Sequence, residues 1–308
     1  MSDIGSTIWN LLPGWRSACF LALYLLIFTP LELLIPAQRG RKFFRQGWST
    51  DLLHFFFSAI PITIGITAMI GGSALLGSLI TPVAVTHWLV SQPIWLQVPI
   101  GIVLADLFFY LGHRLQHEVP WLWDFHAVHH SSKELDWLAA FRIHPVDQIL
   151  ERGTSLIPLF VLGFSPSAIV AIIVIFQWQS ILIHSNVRIP SGWLKWLVAT
   201  PDFHHWHHSA DAVGHNKNFS GQLPLWDLIF GTAYMPSAMP ERYGITDPIS
   251  NNYLMQMLHP FRRLAARVLR RLKVRQPVST PGPEHDPQGR SLYKLPGIDA
   301  RGDRSASN

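Results

Sequence analysis

The chain has 308 residues, and its formal net charge at pH 7 is +5. Hydrophobic residues make up 49% and charged residues 14% of it, whereas an average soluble domain carries about 25% charged residues, so the composition is typical of a membrane protein. The single cysteine, Cys19, excludes intrachain disulfides, cysteine-ligated iron–sulfur clusters and thiolate zinc sites. Any metal ligands must therefore be nitrogen or oxygen atoms.

Apolar runs predict transmembrane helices along the first part of the chain. We expect spans at about residues 18–36, 52–70 and 94–112, each close to the roughly 20 residues that a bilayer crossing needs. The tract up to residue 80 either extends the second span or folds back at the membrane surface, and residues 81–93 are expected to form an outer loop. The first run follows no basic start and precedes no small-residue cleavage site, so we interpret it as a retained span.

Basic residues set the expected orientation, because short loops rich in lysine and arginine face the cytoplasm. Two further apolar runs, residues 149–163 and 167–184, predict a hairpin whose first helix is tilted or partly inserted. This hairpin would return His184 to the cytoplasmic side. The basic residues that set the orientation follow the first span: Arg39, Arg41, Lys42 and Arg45.

The predicted fold class is all-α, a multi-pass transmembrane helical bundle of about four spans plus hairpin and interfacial helices, with a cytoplasmic histidine-rich helical cap. Residues 1–93 would hold the N-terminal spans and the basic loop, and residues 94–235 the histidines. Residues 236–275 read as a basic amphipathic segment lying on an anionic leaflet, and residues 276–308 as a disordered tail. Nucleic-acid binding is disfavoured because the rest of the chain is membranous.

Histidines form three groups at helical spacings of three and four residues, which place side chains on one helix face. A lone histidine is most often a hydrogen-bonded core residue, but eight histidines that repeat the same helical spacing indicate a metal site. Eight or nine imidazoles exceed what one ion can use, so the site should be dinuclear. The three groups are His113 and His117; His126, His129 and His130; and His204, His207 and His208.

Several further residues are placed by the same spacing. His184, at the end of the hairpin, is expected to join the groups, while His205 falls off the ligand face and His215 is ambiguous. Thr200 and Pro201 predict a capped helix start, and residues 214–227 a loop that could cover the site. Asp106 shares a helix face with His113, and an acid within a span is a functional candidate; it would either orient a histidine or reach for water.

An all-imidazole site suits zinc, copper, iron or nickel. The sequence holds no HExxH motif, phosphate loop or Ser/His/Asp pattern, and metals at the end of membrane helices suit oxidation of a lipid by dioxygen. The alternative is a zinc-dependent membrane hydrolase or a metal transporter. A transporter would carry ligands deep within several spans, whereas here they cluster at one side, and a purely structural metal would leave Asp106 unexplained.

The motifs HRLQH (113–117), HAVHH (126–130) and HHWHH (204–208) resemble the histidine boxes of the fatty acid hydroxylase/sterol desaturase superfamily. Supporting matches are the acid before the first box, RIHP (142–145) after the second, HSN (184–186) at the end of a span, and NF (218–219) with LWD (225–227) after the third. The resemblance covers about residues 96–232 and makes residues 94–235 a fatty acid hydroxylase-like catalytic domain.

The resemblance implies a non-haem di-iron site that uses dioxygen to hydroxylate or desaturate a lipid. Some members have a histidine at the position of Ser180, and His144 is a candidate for the missing ligand. Asn186 and Asp227 join Asp106 as candidates that support the metal centre. The implied iron ligands are His113, His117, His126, His129, His130, His184, His204, His207 and His208.

Electrons must come from NAD(P)H through a partner, because the chain shows no haem, flavin or iron–sulfur signature. A cytochrome b5-like or ferredoxin-type donor is expected on the cytoplasmic face of the bacterial inner membrane, or of the endoplasmic reticulum in a eukaryote. Fatty acyl, sterol, ornithine-lipid, carotenoid and ether-lipid substrates all stay open, because pocket shape rather than box spacing selects among them.

Overall fold

The computed structural model of the chain describes residues 14–247 and 249–274. Within these residues the fold is all-α, as predicted, with two isolated β-bridges and no strand. The predicted disordered tail lies outside the described residues. The α-helices are α1 (Trp15–Leu34), α2 (Trp48–Phe57), α3 (Ala59–Ile80), α4 (Val83–Ser91), α5 (Ile94–Glu118), α6 (Pro120–His130), α7 (Pro145–Leu162), α8 (Pro166–His184), α9 (Pro201–His207), α10 (Leu225–Ile229) and α11 (Tyr253–Val274).

Four of these helices, α1, α3, α5 and α8, are long and apolar enough to cross a membrane. Only 6% of the apolar stretch of α3 and 11% of that of α1 is buried within the protein. Their outward surfaces expose large apolar side chains such as Leu26, Ile64 and Leu79, which is the surface that a lipid environment requires. The prediction of an integral, multi-pass membrane protein with about four spans is confirmed.

The second span lies later in the chain than the sequence predicted. Residues 52–57 belong to the separate helix α2, and the span itself is α3, which runs to Ile80. The reason is that α2 carries polar side chains that bond within the protein. Asp51 and His54 are buried, and His54 Nδ1 lies 3.2 Å from the carbonyl oxygen of Ile143. Helix α2 therefore packs against the histidine-bearing region instead of entering lipid.

The predicted outer loop, residues 81–93, contains the short helix α4. The hydroxyl of Thr81 donates to the carbonyl oxygen of Val161 at 2.7 Å, and that of Thr86 to Leu162 at 3.3 Å. These bonds hold α4 against the end of α7. The segment predicted as an outer loop is therefore largely helical, and its place on the outer side stays a prediction.

Helix α7 packs along both α3 and α5, and α8 packs along α5. At Gly77 of α3 an added Cβ would lie 2.4 Å from the carbonyl oxygen of Val161, so the two helix backbones touch and only glycine fits. The buried core between α5, α7 and α8 includes Ala105, Leu159 and Ile172. Helix α7 is not among the four candidate spans, and α7 and α8 pack on α5 rather than mainly on each other. The predicted hairpin stays a prediction.

A buried ionic cluster ties the linker after α1 to the histidine-bearing region. The guanidinium of Arg45 donates to Asp136 and Asp51, both at 2.6 Å, and Arg142 donates to Asp51 as well. The side chains of Arg45 and Asp51 are fully buried. Because Gly47 has φ +84, it can turn the chain so that its carbonyl oxygen accepts from Arg142.

The contacts divide the chain into two units, Met1–Leu264 and Ala265–Asn308. In the second unit the described residues are the last part of α11. The amphipathic helix predicted after Tyr253 is present as α11, and the part in the first unit exposes Leu254, Leu258 and Phe261 along one face. The predicted domain boundaries at residues 93, 235 and 275 stay predictions.

Substituting Asp51→Ala should destabilise the fold, because it leaves two buried guanidinium groups without their shared carboxylate. We expect a loss of about 3–5 kcal/mol of unfolding free energy, measured as a lower unfolding temperature in detergent. The control is Glu118→Ala, which removes an exposed ion pair with Arg114 and should cost only about 0.3–0.5 kcal/mol. Equal effects of the two substitutions would contradict a stabilising role for the buried cluster.

Candidate metal centre

Four helix ends bring the histidine side chains to one end of the bundle. The C-terminal turns of α5 and α6 carry the histidines of the first and second boxes, and the last residue of α8 is His184. The short helix α9 carries the histidines of the third box. Helix α9 begins where predicted: Thr200 is its N-cap, with its hydroxyl 3.4 Å from the backbone nitrogen of Phe203, and Pro201 is its first residue. Because the N-cap sets where α9 begins, it also sets which histidine rings of the third box face inward.

The histidines fall into two groups, and within each group the ligand atoms all lie within 4.8 Å of one another. All these rings are buried apart from that of His117, which is partly buried. We call the sets the five-histidine group, formed by His113, His117, His126, His130 and His207, and the four-histidine group, formed by His129, His184, His204 and His208.

The inner nitrogens of neighbouring rings are evenly spaced. His126 Nε2 lies 3.0 Å from the Nε2 atoms of both His113 and His130 in the five-histidine group. In the other group, His204 Nε2 lies 2.9 Å from that of His184 and 3.0 Å from that of His208. Two nitrogens bound at right angles to an ion, each at about 2.1 Å, would lie about 3.0 Å apart.

The outer nitrogens of several rings are held by backbone carbonyls. His113 Nδ1 lies 2.7 Å from the carbonyl oxygen of Phe219, and His207 Nδ1 lies 2.7 Å from that of Lys217. In the four-histidine group, His129 Nδ1 lies 3.2 Å from Arg142 O and His184 Nδ1 lies 2.6 Å from Ser180 O. Carbonyl oxygens only accept, so each of these Nδ1 atoms carries the proton.

With the protons on Nδ1, the Nε2 atoms of these rings are free to bind metal ions. His129 and His184 have both donated Nδ1–H outward, so their facing Nε2 atoms, 3.0 Å apart, present two lone pairs to each other. Neither can donate to the other, and a cation is what would satisfy both. The buried Nε2 atoms of His117 and His207 likewise have no hydrogen-bond partner among the described residues. Neutral imidazole nitrogens with outward hydrogen bonds are the expected donor set of a metal site.

Asp147, which the sequence reading missed, orients a ring of the five-histidine group. Its carboxylate lies 3.0 Å from His126 Nδ1 and accepts from the amide of Gln116 at 2.6 Å. Burial, with neighbouring Glu151 adding to it, raises the pKa of Asp147 well above its ordinary value. The sequence signal was an acid two residues after RIHP (142–145), in the first turn of α7.

Asp106 does not orient a histidine, which corrects the prediction. Its fully buried carboxylate accepts from the backbone N–H groups of Gly221, Gln222 and Leu223 at 2.8–3.0 Å. A buried acid is tolerated in this span because three backbone N–H groups of a loop donate hydrogen bonds to it. Asp106 thereby ties the loop predicted to cover the site to the helix that carries the first box.

Asp227 acts on the same loop. Its carboxylate accepts from the backbone nitrogens of Phe219 and Ser220, both at 2.8 Å. Because the carbonyl of Phe219 holds His113, Asp227 supports the centre through one intervening residue. Asn218 has φ +58, a conformation that asparagine tolerates better than most residues, and its side chain bonds Phe203 and Tyr234 at 2.7 Å.

Four other predicted positions lie outside both groups. Asn186 bonds the backbone of Gln38 and contacts no histidine of the groups. His144 caps α7, with Nδ1 accepting from Val146 N at 3.2 Å and Nε2 3.2 Å from Met257 O. Both of its nitrogens are thus engaged, so the structure gives no tenth ligand here. His205 bonds Tyr243 and Ser185, as its off-face position suggested, and His215 is exposed.

Two neighbouring cavities share part of their lining, and the smaller one borders the four-histidine group. The membrane cavity, about 530 Å³, lies between α1, α2, α3, α7 and α8 and is lined by apolar side chains such as Tyr24, Ile62 and Leu156. The inner cavity, about 30 Å³, is lined by His129, His184 and His204 with Phe109 and Ile183. The cavities share four lining residues: Ile143, Gln148, Arg152 and Phe176.

A third cavity, the outer cavity of about 230 Å³, lies beside the five-histidine group. It is lined by His117, His130 and His207 together with Trp123 and Asn216. The Trp123 ring centroid is 5.0 Å from that of His117 and 5.4 Å from that of His130. The two histidine groups therefore face different cavities.

Residues 98–232 match the family model described as fatty acid hydroxylase. The ornithine lipid hydroxylase OlsE of Rhizobium tropici is 34% identical over 177 residues, 57% of this chain and 54% of that protein. Alkylglycerol monooxygenase of Homo sapiens is 33% identical over 162 residues, 51% of this chain and 34% of that protein. Cholesterol 25-hydroxylase of Homo sapiens is 30% identical over 141 residues, 42% of this chain and 48% of that protein. No solved structure matches the chain significantly.

The chain spans about half the length of these relatives or less. The family match covers the segment that holds both histidine groups. These matches support the resemblance to the fatty acid hydroxylase/sterol desaturase superfamily that the histidine boxes predicted, for residues 98–232. The relatives are named for hydroxylation and monooxygenation, so the hydrolase or transporter alternative is not favoured.

Substituting Asp147→Ala should weaken metal binding without removing a ligand, because it frees the ring of His126 to turn. We expect about a 10- to 100-fold loss of metal affinity, measured by competition with a chelator. The control is Asp211→Ala, at an exposed ion pair with Arg242, which should leave the affinity unchanged. Unaltered affinity in Asp147→Ala would show that the carboxylate does not orient the ring.

Stability should fall as the pH drops below about 6.5. Burial and neighbouring imidazoles lower the pKa of His130, His204 and His208 well below the ordinary histidine value. Below about pH 6.5 the unfolded chain binds more protons than the folded one, so the unfolding free energy decreases with falling pH. Above it this stability is fully present.

The measurement is the unfolding temperature of the chelator-treated full chain between about pH 8 and pH 5. We expect a plateau at the upper end and a steady decline below about pH 6.5, steeper than one proton would give. His215→Gln, at an exposed side chain outside both groups, is the control and should keep the same profile. A flat profile down to pH 5 in the wild type would contradict the prediction.

Proposed function

We propose that the chain is a membrane-bound non-haem di-iron oxygenase that hydroxylates, or desaturates, a lipid with dioxygen and external electrons. One iron would be held by the five-histidine group and one by the four-histidine group. The observation that carries the proposal is the facing Nε2 pair of His129 and His184, 3.0 Å apart with both protons committed outward. Imidazole suits several metals, and the superfamily supports iron among them.

The lipid substrate is supported by the cavities and by the relatives. A cavity of about 530 Å³ between membrane helices has the size of small-molecule sites, about 300–1,000 Å³, and its lining suits an acyl or alkyl chain. It shares four lining residues with the inner cavity, which is lined by three histidines of the four-histidine group. Relatives named as ornithine lipid hydroxylase and alkylglycerol monooxygenase favour a lipid over a soluble substrate.

In this proposal the protein positions the reacting carbon and keeps the site dry. Apolar side chains of the membrane cavity, such as Ile62 and Leu156, align the hydrocarbon chain of the lipid, while Phe109 and Ile183 limit the access of water to the inner cavity. Irons held by the two histidine groups would supply the dioxygen chemistry that oxidation of a C–H bond requires. Hydroxylation consumes dioxygen, two electrons and two protons for each alcohol and water formed.

We further propose that the histidine cap faces the cytoplasm, in the inner membrane of a bacterium or the endoplasmic reticulum of a eukaryote. Exposed Arg39 and Lys42, at the cap end of α1, support this orientation. Electrons would come from NAD(P)H through a cytochrome b5-like or ferredoxin-type donor. Trp123, partly exposed and against the rings of His117 and His130, favours entry beside the five-histidine group.

The proposal is tested by metal content and by lipid mass spectrometry of cells expressing the full chain. We expect about two irons per purified chain and a lipid that gains one oxygen, or loses two hydrogens, in wild-type cells. His129→Ala should reduce this product below about 1%, while His87→Ala, at the exposed histidine of α4, should retain it.

Turnover of the purified protein with NADPH should require an added redox protein. Turnover without one would contradict the proposed electron donor. Zinc without iron, in protein expressed with iron available and with an unchanged lipid profile, would overturn the oxygenase proposal and return the hydrolase or transporter alternative.

A further inference from the structure

Two polar side chains project where the membrane cavity meets the inner cavity. Gln148 and Arg152 are one turn apart on α7, so they share a helix face, and both line both cavities. Gln148 is 6% exposed, and Arg152 is partly buried. The junction between the apolar space and the four-histidine group is therefore polar and cationic.

Neither side chain forms a hydrogen bond with another described residue, and the charge that acts most on Arg152 is that of the adjacent Glu151. Among the described residues, no hydrogen bond from the Gln148 amide or the Arg152 guanidinium is formed, and no carboxylate makes an ion pair with Arg152 within 4.0 Å. A buried polar group without a partner costs free energy of about 1–3 kcal/mol, and more when charged. By contrast, Arg45 and Arg142 in the cap are fully paired. The lack of a partner at the cavity junction thus points to a ligand.

The charges facing the junction favour an anion. Arg152 brings a permanent positive charge, and His54 is the other basic side chain on the membrane cavity. Glu151 lines the inner cavity only; burial raises its pKa to about 7 although the charge of Arg152 acts to lower it, so near neutrality Glu151 offsets the charge of Arg152 only in part. A guanidinium with an adjacent amide is well matched to a carboxylate or phosphate oxygen pair.

We propose that Arg152 and Gln148 bind an oxoanion of the lipid substrate, a carboxylate or a phosphate, at the junction of the two cavities. The inference rests on the proposed function and adds which part of the lipid is oxidised. The inner cavity of about 30 Å³ holds only a few heavy atoms, since one water needs about 10–15 Å³. The oxidised carbon therefore lies within a few bonds of the anion, with the chain extending into the membrane cavity.

The experiment measures binding, so its outcome does not depend on oxygenase activity. A fluorescent C18 polyunsaturated fatty acid and its methyl ester are titrated into detergent-purified full chain. The wild type should bind the acid about tenfold more tightly than the ester, because only the acid offers a charged acceptor. Arg152→Gln should reduce this ratio to about one, Arg152→Lys should keep most of it, and Gln148→Leu should lower it partly.

Displacement of the bound acid separates the two sources of the oxoanion. Stronger displacement by lysophosphatidic acid than by unlabelled fatty acid would assign a phosphate head group, and the reverse a carboxylate. The matched control is Arg242→Gln, whose side chain is 75% exposed and which should keep the wild-type ratio. Metal content of each variant reports whether the histidine groups are still formed.

Equal affinity of the wild type for acid and ester would overturn the proposal, as would an unchanged ratio in Arg152→Gln. Because the wild-type ratio needs no variant, a folding defect in Arg152→Gln cannot hide the result. Iron content and product formation test the proposed function independently. Iron-loaded, active protein without acid preference would retain the oxygenase and reject the anion site alone.

Discussion

The constraint on which the rest of the structure depends is the direction of the imidazole protons. Rings such as His113 and His129 donate Nδ1–H to backbone carbonyls, which leaves the Nε2 atoms of these rings with a lone pair that faces their neighbours. A packed set of such rings repels itself unless cations lie among them. The surrounding elements are arranged to supply outward acceptors: the loop before α10 gives Lys217 and Phe219, and the start of α7 gives Asp147.

The need for fixed acceptors explains features that otherwise look unrelated to the metal centre. A loop carbonyl can hold a ring only if the loop itself is rigid. Asp106 secures this loop by three backbone N–H groups and Asp227 by two more. The buried Arg45–Asp51–Arg142 cluster does the same for the segment whose Arg142 carbonyl accepts from His129. These buried charges gain conformational specificity at a desolvation cost.

The sequence could predict the ligands' spacing but not their support. Periodicity shows that His126 and His130 share a helix face, and Thr200 and Pro201 show where α9 starts. It cannot show that Asp106 bonds a loop 115 residues away or that Asp147 reaches back to His126, because these contacts arise from tertiary packing. The second span was placed too early for the same reason: Asp51 and His54 sit next to an apolar run yet find polar partners in the cap.

The two histidine groups differ in the number of their histidines and in the cavities that they face, so the two sides of the metal centre are not equivalent. The five-histidine group faces the outer cavity and Trp123, whereas the four-histidine group faces the inner cavity, next to the apolar membrane cavity. A metal site that performs chemistry keeps a position open for a reactant, and the group with fewer rings is the one beside the proposed substrate path. Ser180, where some members of the superfamily carry a histidine, lines that inner cavity and uses its carbonyl to hold His184. Its small side chain leaves space at the very point where the proposed lipid would meet the metal.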